Sequence, residues 1–155
     1  VGKRRGAKNF EVVQMVVERL LEVGIEVRLV VVDKDARDIP LDQQQMREFY
    51  NGIDYYLCAS WNEGTPNPAL EAGACGVPVI TTRVGNMPEI IIEGVNGYFV
   101  DPTVESIVDR CVSLKKIPEA NYWAMSQAIR QAVTTDFSWN RNIQYHIEAF
   151  DRLLN

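Results

Sequence analysis

The sequence predicts an α/β protein in which a doubly wound, Rossmann-like parallel sheet is flanked by helices. Two observations predict this fold class: apolar segments typical of buried strands alternate with amphipathic segments typical of helices, and no internal repeat or linker interrupts that order. Strands that alternate with helices imply right-handed crossovers, a parallel sheet, and ligands at the carboxyl ends of the strands. A chain of 155 residues fits one domain, 1–155.

The first half of the chain provides two helices and two strands. Phe10 to Val23 carries apolar residues at spacings of three and four and ends before Gly24, which predicts an amphipathic helix. Ile25 to Val32 first alternates and then becomes continuous valine, which predicts a strand buried on both faces. A short helix over Asp42 to Gly52 and a second buried strand over Tyr55 to Ser60 follow.

The second half repeats the alternation and ends in helices. Gly76 closes one helix, and the pair Asn96-Gly97 marks a turn before a short strand. The predicted elements are a helix over Pro68–Cys75, a strand over Pro78–Thr82, a helical turn over Met87–Ile92, a strand over Gly97–Val100, and helices over Val104–Lys115, Glu119–Thr134 and Ser138–Leu154.

The start of the chain departs from this plan. The basic stretch of residues 2–8 leads directly into a helix, where a doubly wound unit would have a strand before the loop. Only Val1 is left to supply that strand. We therefore expect the chain to begin just after, or inside, a first strand and to be a fragment of a longer protein.

The net charge of −5 argues against general nucleic-acid binding but is unevenly distributed. Residues 1–8 contain Lys3, Arg4, Arg5 and Lys8 and no acid, which leaves 12 basic residues against all 21 acidic ones in the remainder. One basic loop on an acidic protein suggests a small anionic ligand; a solvated basic tail is the alternative. No apolar run is long enough for a transmembrane segment, and three cysteines, an odd number without a C-x-x-C pair, favour reduced thiols in a cytoplasmic protein.

Two common nucleotide motifs are absent and a third is disfavoured. The basic loop lacks the spacing of a P-loop, and no G-x-G-x-x-G occurs. Asp33-Lys34-Asp35 follows an apolar segment, as metal-binding D-x-D motifs do, but only 32 residues precede it, too few for the nucleotide-binding half that such a site needs. We expect a charged turn there and no metal site.

The stretch S-W-N-E-G-T-P-N-P-A-L-E-A-G-A-C-G, residues 60–76, carries the candidate site. Asn67 followed by Pro68 fits an N-cap and a first helical position, which puts Glu71 in the first turn. Amides exposed at such a helix end attract phosphate, and a carboxylate can accept two hydrogen bonds from a vicinal diol. Phosphate donors beside diol acceptors describe a site for a nucleotide sugar. The alternative is that Glu71 only complements the helix dipole and Glu63 is a loop charge.

These residues resemble a known family. The pair Glu63-x7-Glu71, followed by G-V-P-V-I-T-T, G-N-M-P-E-I-I, N-G and F-S-W before the last helix, is similar to the carboxy-terminal, nucleotide-sugar-binding domain of retaining GT-B glycosyltransferases of the group 1 type. The resemblance covers nearly the whole chain. It implies that an amino-terminal domain, absent here, contributes the acceptor site.

The resemblance also implies roles for individual residues. Lys3, where the family usually has arginine, and Lys8 would grip the donor diphosphate, and with Glu63 they are the candidate catalytic residues. Glu63 would lie beside the transferred sugar, and Glu71 would hold the ribose hydroxyls. The donor pocket would also include Gly64, Thr65, Pro66 and Asn67, while Glu89 would tie down its own loop or lie near the donor.

Two departures from the family pattern affect recognition of the donor. Lysine at position 3 lacks the bidentate fork of arginine, so phosphate recognition there is less directional. Only residues 33–53 separate two predicted strands, where the family usually inserts another strand and helix. The sequence therefore does not indicate which nucleobase is bound.

The resemblance implies transfer of a sugar from a nucleotide diphosphate sugar to a glycan, lipid-linked or small-molecule acceptor, without a metal or other cofactor, in glycan or surface polysaccharide synthesis. The full-length protein would be cytoplasmic or associated with the inner face of the membrane. The alternatives are a non-catalytic nucleotide-sugar sensor and another GT-B enzyme, such as a phosphorylase or an epimerase.

Overall fold

A computed structural model describes residues 8–32 and 41–154, with no side-chain description for residues 139 and 140. Seven helices and three strands are formed within this part of the chain. In chain order they are α1 (Phe10–Glu22), α2 (Gln43–Asn51), β1 (Tyr56–Cys58), α3 (Asn67–Ala74), β2 (Val79–Thr81), α4 (Met87–Ile90), β3 (Gly97–Phe99), α5 (Val104–Leu114), α6 (Glu119–Asp136) and α7 (Trp139–Leu154). Among these residues no helix has both the length and the apolar character needed to cross a bilayer.

The three strands form one parallel sheet in the order β1-β2-β3, as the alternation of elements predicts. Tyr56 pairs with Val79, and Val79 pairs with Gly97. Because all three strands run in the same direction, the segments that follow them lie along one edge of the sheet.

Side chains that alternate along the strands place a hydrophobic core on each face of the sheet. On one face Tyr56, Cys58 and Val79 contribute to a core shared with α2, α3, α4 and α6. On the other face Ala59 and Ile80 contribute to a core shared with α1 and α5. The fold is therefore a helix–sheet–helix arrangement, and the prediction of an α/β fold is confirmed.

Two glycines shape helix α3 and its end. A Cβ atom at Gly73 in α3 would lie 2.9 Å from a methyl carbon of Val133 in α6, so only glycine lets these two helices approach this closely. Gly76 has φ +81° directly after α3, which fits the predicted helix end.

The predicted strand over Ile25 to Val32 is wrong: these eight residues have no strand assignment. Val27, Leu29, Val30 and Val31 are each between 36% and 40% exposed, so the run is not buried on both faces. The apolar pattern reports a tendency to be buried, but a strand also needs a hydrogen-bonded neighbour, and the described residues supply none on either side of this segment.

Candidate functional site

The candidate site lies where the strands end. The segment between β1 and α3 contains Glu63, and the segment between β2 and α4 contains Thr82 and Gly85. Both segments follow the carboxyl ends of adjacent parallel strands, the position at which sheets of this type bind ligands.

Buried hydroxyl groups hold the carboxylate of Glu63. Ser60 Oγ donates to Glu63 Oε1 at 2.7 Å, and Thr82 Oγ1 donates to the carbonyl oxygen of Ser60 at 2.6 Å. Ser60 and Thr82 are 2% and 3% exposed. The orientation of Glu63 is therefore set by residues that follow two different strands.

Lys8 forms an ion pair with the same carboxylate. Its Nζ contacts Glu63 Oε1, and the side chain of Glu63 is only 14% exposed, against 36% for Lys8. These two predicted site residues, which are 55 positions apart, are thus brought together at the carboxyl edge of the sheet. Lys3, the other predicted phosphate ligand, lies outside the described residues.

Glu71 has a different partner. Tyr50 Oη, on α2, donates to Glu71 Oε2 at 2.7 Å. Tyr50 is 1% exposed, and burial, followed by this hydrogen bond, raises the pKa of its phenol well above the usual value. Tyr50 therefore stays protonated and acts as a donor, while Glu71 is exposed and keeps acceptor capacity for a ligand.

The start of α3 differs from the predicted one by one residue. The helix begins at Asn67, Pro66 occupies the N-cap position, and no side chain caps the end. The reason is that the carbonyl oxygen of Pro66 accepts from the N–H of Ala69 at 2.8 Å, so the helical hydrogen bonds start one residue earlier. The prediction that Asn67 is the N-cap is wrong.

This shift affects both interpretations of Glu71. Glu71 is the fifth residue of the helix and not part of its first turn, so the prediction of its position is also wrong. Because the dipole effect falls off within the first turn, complementing the dipole explains Glu71 less well than its bond to Tyr50 does.

Prolines limit the phosphate donors at the same helix end. Pro66 and Pro68 have no N–H, and the N–H of Asn67 donates to the carbonyl oxygen of Thr65 at 2.8 Å. Among the described residues, no acceptor engages the N–H groups of Gly64 and Thr65. These two amides, and not those further into α3, are the candidate phosphate donors.

The β2–α4 segment supports the loop that carries Glu63. Gly85 has φ +53°, and a Cβ atom there would lie 2.0 Å from the carbonyl oxygen of Gly64. No side chain fits at this position unless the backbone next to Glu63 moves.

A cavity of about 460 Å³ lies beside these loops, at the carboxyl ends of all three strands. Ser60 and Trp61 follow β1, Thr82 and Arg83 follow β2, and Asp101 follows β3 around it. The cavity is large enough for part of a ligand.

Sequence reasoning missed Tyr50, Ser60, Thr82 and Gly85 as supports of the site. Glu89, which was expected to hold its own loop or to lie near the donor, is exposed and lies within α4. The acidic residue that holds the segment between α4 and β3 is Glu93, whose Oε2 accepts from the N–H of Phe99 at 2.7 Å and whose Oε1 pairs with Arg110 at 2.7 Å.

The metal motif considered above cannot be placed, because Asp33 and Asp35 lie outside the described residues. Within residues 8–32 and 41–154, no group of three or more His, Cys, Asp or Glu side chains is arranged to hold a metal ion.

The parallel sheet between two helical layers, with the candidate site residues at the strand ends, is the arrangement of a doubly wound, Rossmann-like α/β fold. The family model described as "Glycosyl transferases group 1" matches residues 7–116. The chain therefore belongs to the group 1 glycosyltransferases.

One curated relative and two solved structures illustrate the similarity. The chain is 27% identical over 116 residues to the D-inositol 3-phosphate glycosyltransferase of Mycolicibacterium smegmatis, a match that covers 75% of this chain and 26% of the relative. It resembles the C-terminal domain of a glycosyl transferase group 1 family protein (LpcC) from Francisella tularensis, with TM-score 0.70, 22% identity, and coverage of 90% of this chain and 84% of that one.

The second structure is TarM of S. aureus, solved as a point mutant in complex with Fondaparinux, alpha-GlcNAc-glycerol and UDP. The TM-score is 0.79 at 15% identity, and the match covers 96% of this chain and 34% of TarM. These structural similarities show the fold alone. The chain spans about a third or less of the length of the curated relatives that it matches.

Proposed function

We propose that this chain is the donor-binding domain of a retaining hexosyltransferase, which transfers a sugar from a nucleotide diphosphate sugar to an acceptor hydroxyl. Family membership supports glycosyl transfer as the reaction, and the complex of TarM with UDP supports a nucleotide in this fold. The observation that carries the proposal is the pairing of Lys8 with Glu63 at the carboxyl edge of the sheet.

In this proposal each group binds one part of the donor. The ammonium of Lys8 and the amides of Gly64 and Thr65 bind the diphosphate, with Lys3 as a second cation, and Pro66 and Asn67 line the pocket. Glu71 accepts hydrogen bonds from the ribose diol, and Glu63 faces the transferred sugar. Lys8 is already paired with the carboxylate of Glu63. When the diphosphate binds, it therefore either shares Lys8 with that carboxylate or displaces the carboxylate from Lys8.

The lysine charges beside the diphosphate also explain how the domain assists the reaction. As the bond between the sugar and the diphosphate breaks, negative charge grows on the leaving oxygen, and a fixed cation stabilises it. In a retaining reaction without a covalent intermediate, the acceptor hydroxyl enters from the same face as the leaving group. No general base is assigned in this chain, and no metal is required in this proposal.

The proposal places the chain, residues 1–155, within a two-domain enzyme of glycan or surface polysaccharide synthesis. The second domain supplies the acceptor site, and the acceptor is a glycan, a lipid-linked sugar or a small molecule. The enzyme works in the cytoplasm or at the inner face of the membrane.

Calorimetric titration of the purified chain with a panel of nucleosides and nucleoside diphosphates tests the proposal. We expect weak binding of at least one nucleoside diphosphate, because part of the ligand surface stays exposed to solvent without the second domain. Lys8→Ala should weaken that diphosphate far more than its nucleoside, whereas Lys116→Ala, a change of an exposed lysine just after α5, should weaken neither. Failure of every diphosphate to bind, or equal losses for nucleoside and diphosphate in Lys8→Ala, would contradict it.

A further inference from the structure

The cavity of about 460 Å³ at the carboxyl ends of the strands is separate from the proposed diphosphate site. Its lining comes mainly from the segments that follow β1, β2 and β3, and none of the described diphosphate ligands, Lys8, Gly64 and Thr65, belongs to it. Ser60 does line it, and Ser60 Oγ donates to Glu63 Oε1 at 2.7 Å. A ligand in this cavity therefore lies next to Glu63 but away from the groups that would bind phosphate.

Trp61 gives the cavity an aromatic wall. Its side chain lines the cavity and the residue is 61% exposed. A single exposed aromatic residue indicates nothing by itself, but the backbone beside Trp61 is held in place. The carbonyl oxygen of Ser60 accepts from Thr82 Oγ1 at 2.6 Å, and the hydroxyl of Ser60 donates to Glu63. The indole is thus a broad apolar surface on a fixed turn, open to a ligand.

One cation and one anion line the cavity without forming an ion pair among the described residues. The guanidinium of Arg83 lies over the ring of Phe99, with Cζ 3.9 Å from the ring centroid, so its position is fixed while its N–H groups have no described carboxylate partner. Asp101 donates its backbone N–H to Ser106 Oγ at 2.9 Å, and no described residue binds its carboxylate. Both charged groups remain available to a ligand.

The balance of these charges favours an uncharged ligand. Glu93 also lines the cavity, but its carboxylate pairs with Arg110 at 2.7 Å and accepts from the N–H of Phe99. What remains is a guanidinium that only donates, from Arg83, and a carboxylate that only accepts, from Asp101. A charged ligand would be attracted by one of them and repelled by the other, whereas hydroxyl groups both donate and accept and can bind both.

We propose that this cavity is a saccharide subsite through which the domain itself binds the acceptor, and that it takes an uncharged sugar ring of a glycan. The apolar face of the ring packs on the indole of Trp61, and its hydroxyl groups bind Arg83 and Asp101. The assignment of the ring to the acceptor rests on the proposed sugar transfer, because Ser60 places the cavity beside Glu63, which faces the transferred sugar in that proposal. The acceptor is then held by this domain as well as by the second one.

NMR spectra of the indole N–H groups of the 155-residue chain test the subsite. The chain has three tryptophans, and the signal of Trp61 is identified by its loss in Trp61→Phe. The probes are methyl glycosides of neutral hexoses and the corresponding disaccharides, added to about 100 mM, alone and in the presence of a saturating nucleoside diphosphate. Trp123, which is 56% exposed on α6 and does not line the cavity, is the control within the same spectrum.

We expect at least one neutral glycoside to shift the Trp61 signal to a plateau, with or without the diphosphate, and to leave the Trp123 signal in place. Arg83→Met and Asp101→Asn should each weaken this binding about fivefold or more, because each removes a charged partner of a hydroxyl group. Glu105→Gln is the matched control, since this exposed carboxylate on α5 lies outside the cavity, and it should have no effect. Trp61→Ala should abolish binding.

The outcomes separate this proposal from the proposed function. If the chain binds a nucleoside diphosphate but no glycoside shifts Trp61, the subsite is wrong and the proposed function stands. Loss of glycoside binding in the presence of the diphosphate would assign the cavity to the donor and also overturn the proposal, as would tighter binding of a methyl glucuronide than of its neutral counterpart. A plateau shift of Trp61 in a chain that binds no diphosphate would support the saccharide subsite and contradict the proposed function.

Discussion

Tyr50 Oη donates a 2.7 Å hydrogen bond to Glu71 Oε2 and so connects α2 to α3. The tyrosine is buried and the glutamate is exposed, so the bond fixes one carboxylate oxygen from inside the protein while the other stays accessible to a ligand. If Glu71 binds the ribose diol, Tyr50 is the residue that positions it.

Tyr50→Phe tests this relationship with little change in packing. Loss of the hydroxyl frees the Glu71 carboxylate to rotate, so we expect affinity for a nucleoside diphosphate to fall about three- to tenfold, the equivalent of roughly 0.7–1.4 kcal/mol. Tyr122→Phe is the matched control, because its hydroxyl donates to the carbonyl of Asp54 at 3.1 Å and is not part of the proposed site. Calorimetry should show unchanged affinity for the control; an equal effect of both variants would indicate a general loss of stability.

Glu71→Ala should distinguish ribonucleotides from deoxyribonucleotides. Only a ribonucleotide offers a vicinal diol, and a hydrogen bond to a charged group contributes roughly 1.5–3 kcal/mol. We expect the variant to lose affinity for a nucleoside diphosphate but not for its 2′-deoxy form, as measured by parallel titrations. Similar losses for the two ligands would remove Glu71 from the ribose site and leave it a structural partner of Tyr50.

Gly85→Ala should displace the loop that carries Glu63. Gly94 offers a matched control, since it has φ +76° but nothing within 4 Å of its added Cβ atom. Gly94→Ala should lower the free energy of unfolding by about 1–2 kcal/mol, because alanine is strained in the left-handed backbone conformation. In Gly85→Ala the added Cβ atom also overlaps the carbonyl oxygen of Gly64. This overlap should lower the free energy of unfolding by about 1–3 kcal/mol more and should lower nucleotide affinity. Chemical denaturation and calorimetry measure both effects, and identical results for the two variants would show that the loop tolerates the contact.

Much of the fold could be predicted because its signals are local. The periodicity of α1 and α5 and Gly76 after α3 lie within a few residues of the features that they predict. Asp42 and Gln45 form reciprocal hydrogen bonds at the start of α2, a local signal that the prediction of this helix did not use. Residues 25–32 were not assigned correctly, because a strand needs a hydrogen-bonded neighbour and the described residues supply none beside this segment.

Some residues of the candidate site could be predicted from local motifs, and others could not. Glu63, Glu71 and Lys8 were found from motif spacing and resemblance, and the structure places two of them in contact. Tyr50 is 21 residues from Glu71, and Thr82 is 22 residues from the Ser60 carbonyl that it holds, so no local pattern indicated either contact. The N-cap was misplaced by one residue because two prolines, Pro66 and Pro68, both fit the start of a helix.

We propose that lysines, and not a metal ion, neutralise the diphosphate. A nucleoside diphosphate carries about three negative charges near pH 7. A site at Asp33 and Asp35 would add more negative charge and would require a divalent cation. Lys3 and Lys8 supply two positive charges, which the carboxylate of Glu63 offsets in part while it stays paired with Lys8, and the helix end adds about half of another.

Titration of one nucleoside diphosphate into four samples tests this claim most directly: the chain with manganese, the chain with a chelator, Asp33→Ala with Asp35→Ala, and Lys3→Ala with Lys8→Ala. We predict similar affinity in the first three samples and a loss of about tenfold or more, about 1.4 kcal/mol, in the double lysine variant. Binding that disappears with the chelator and survives the loss of both lysines would contradict the account.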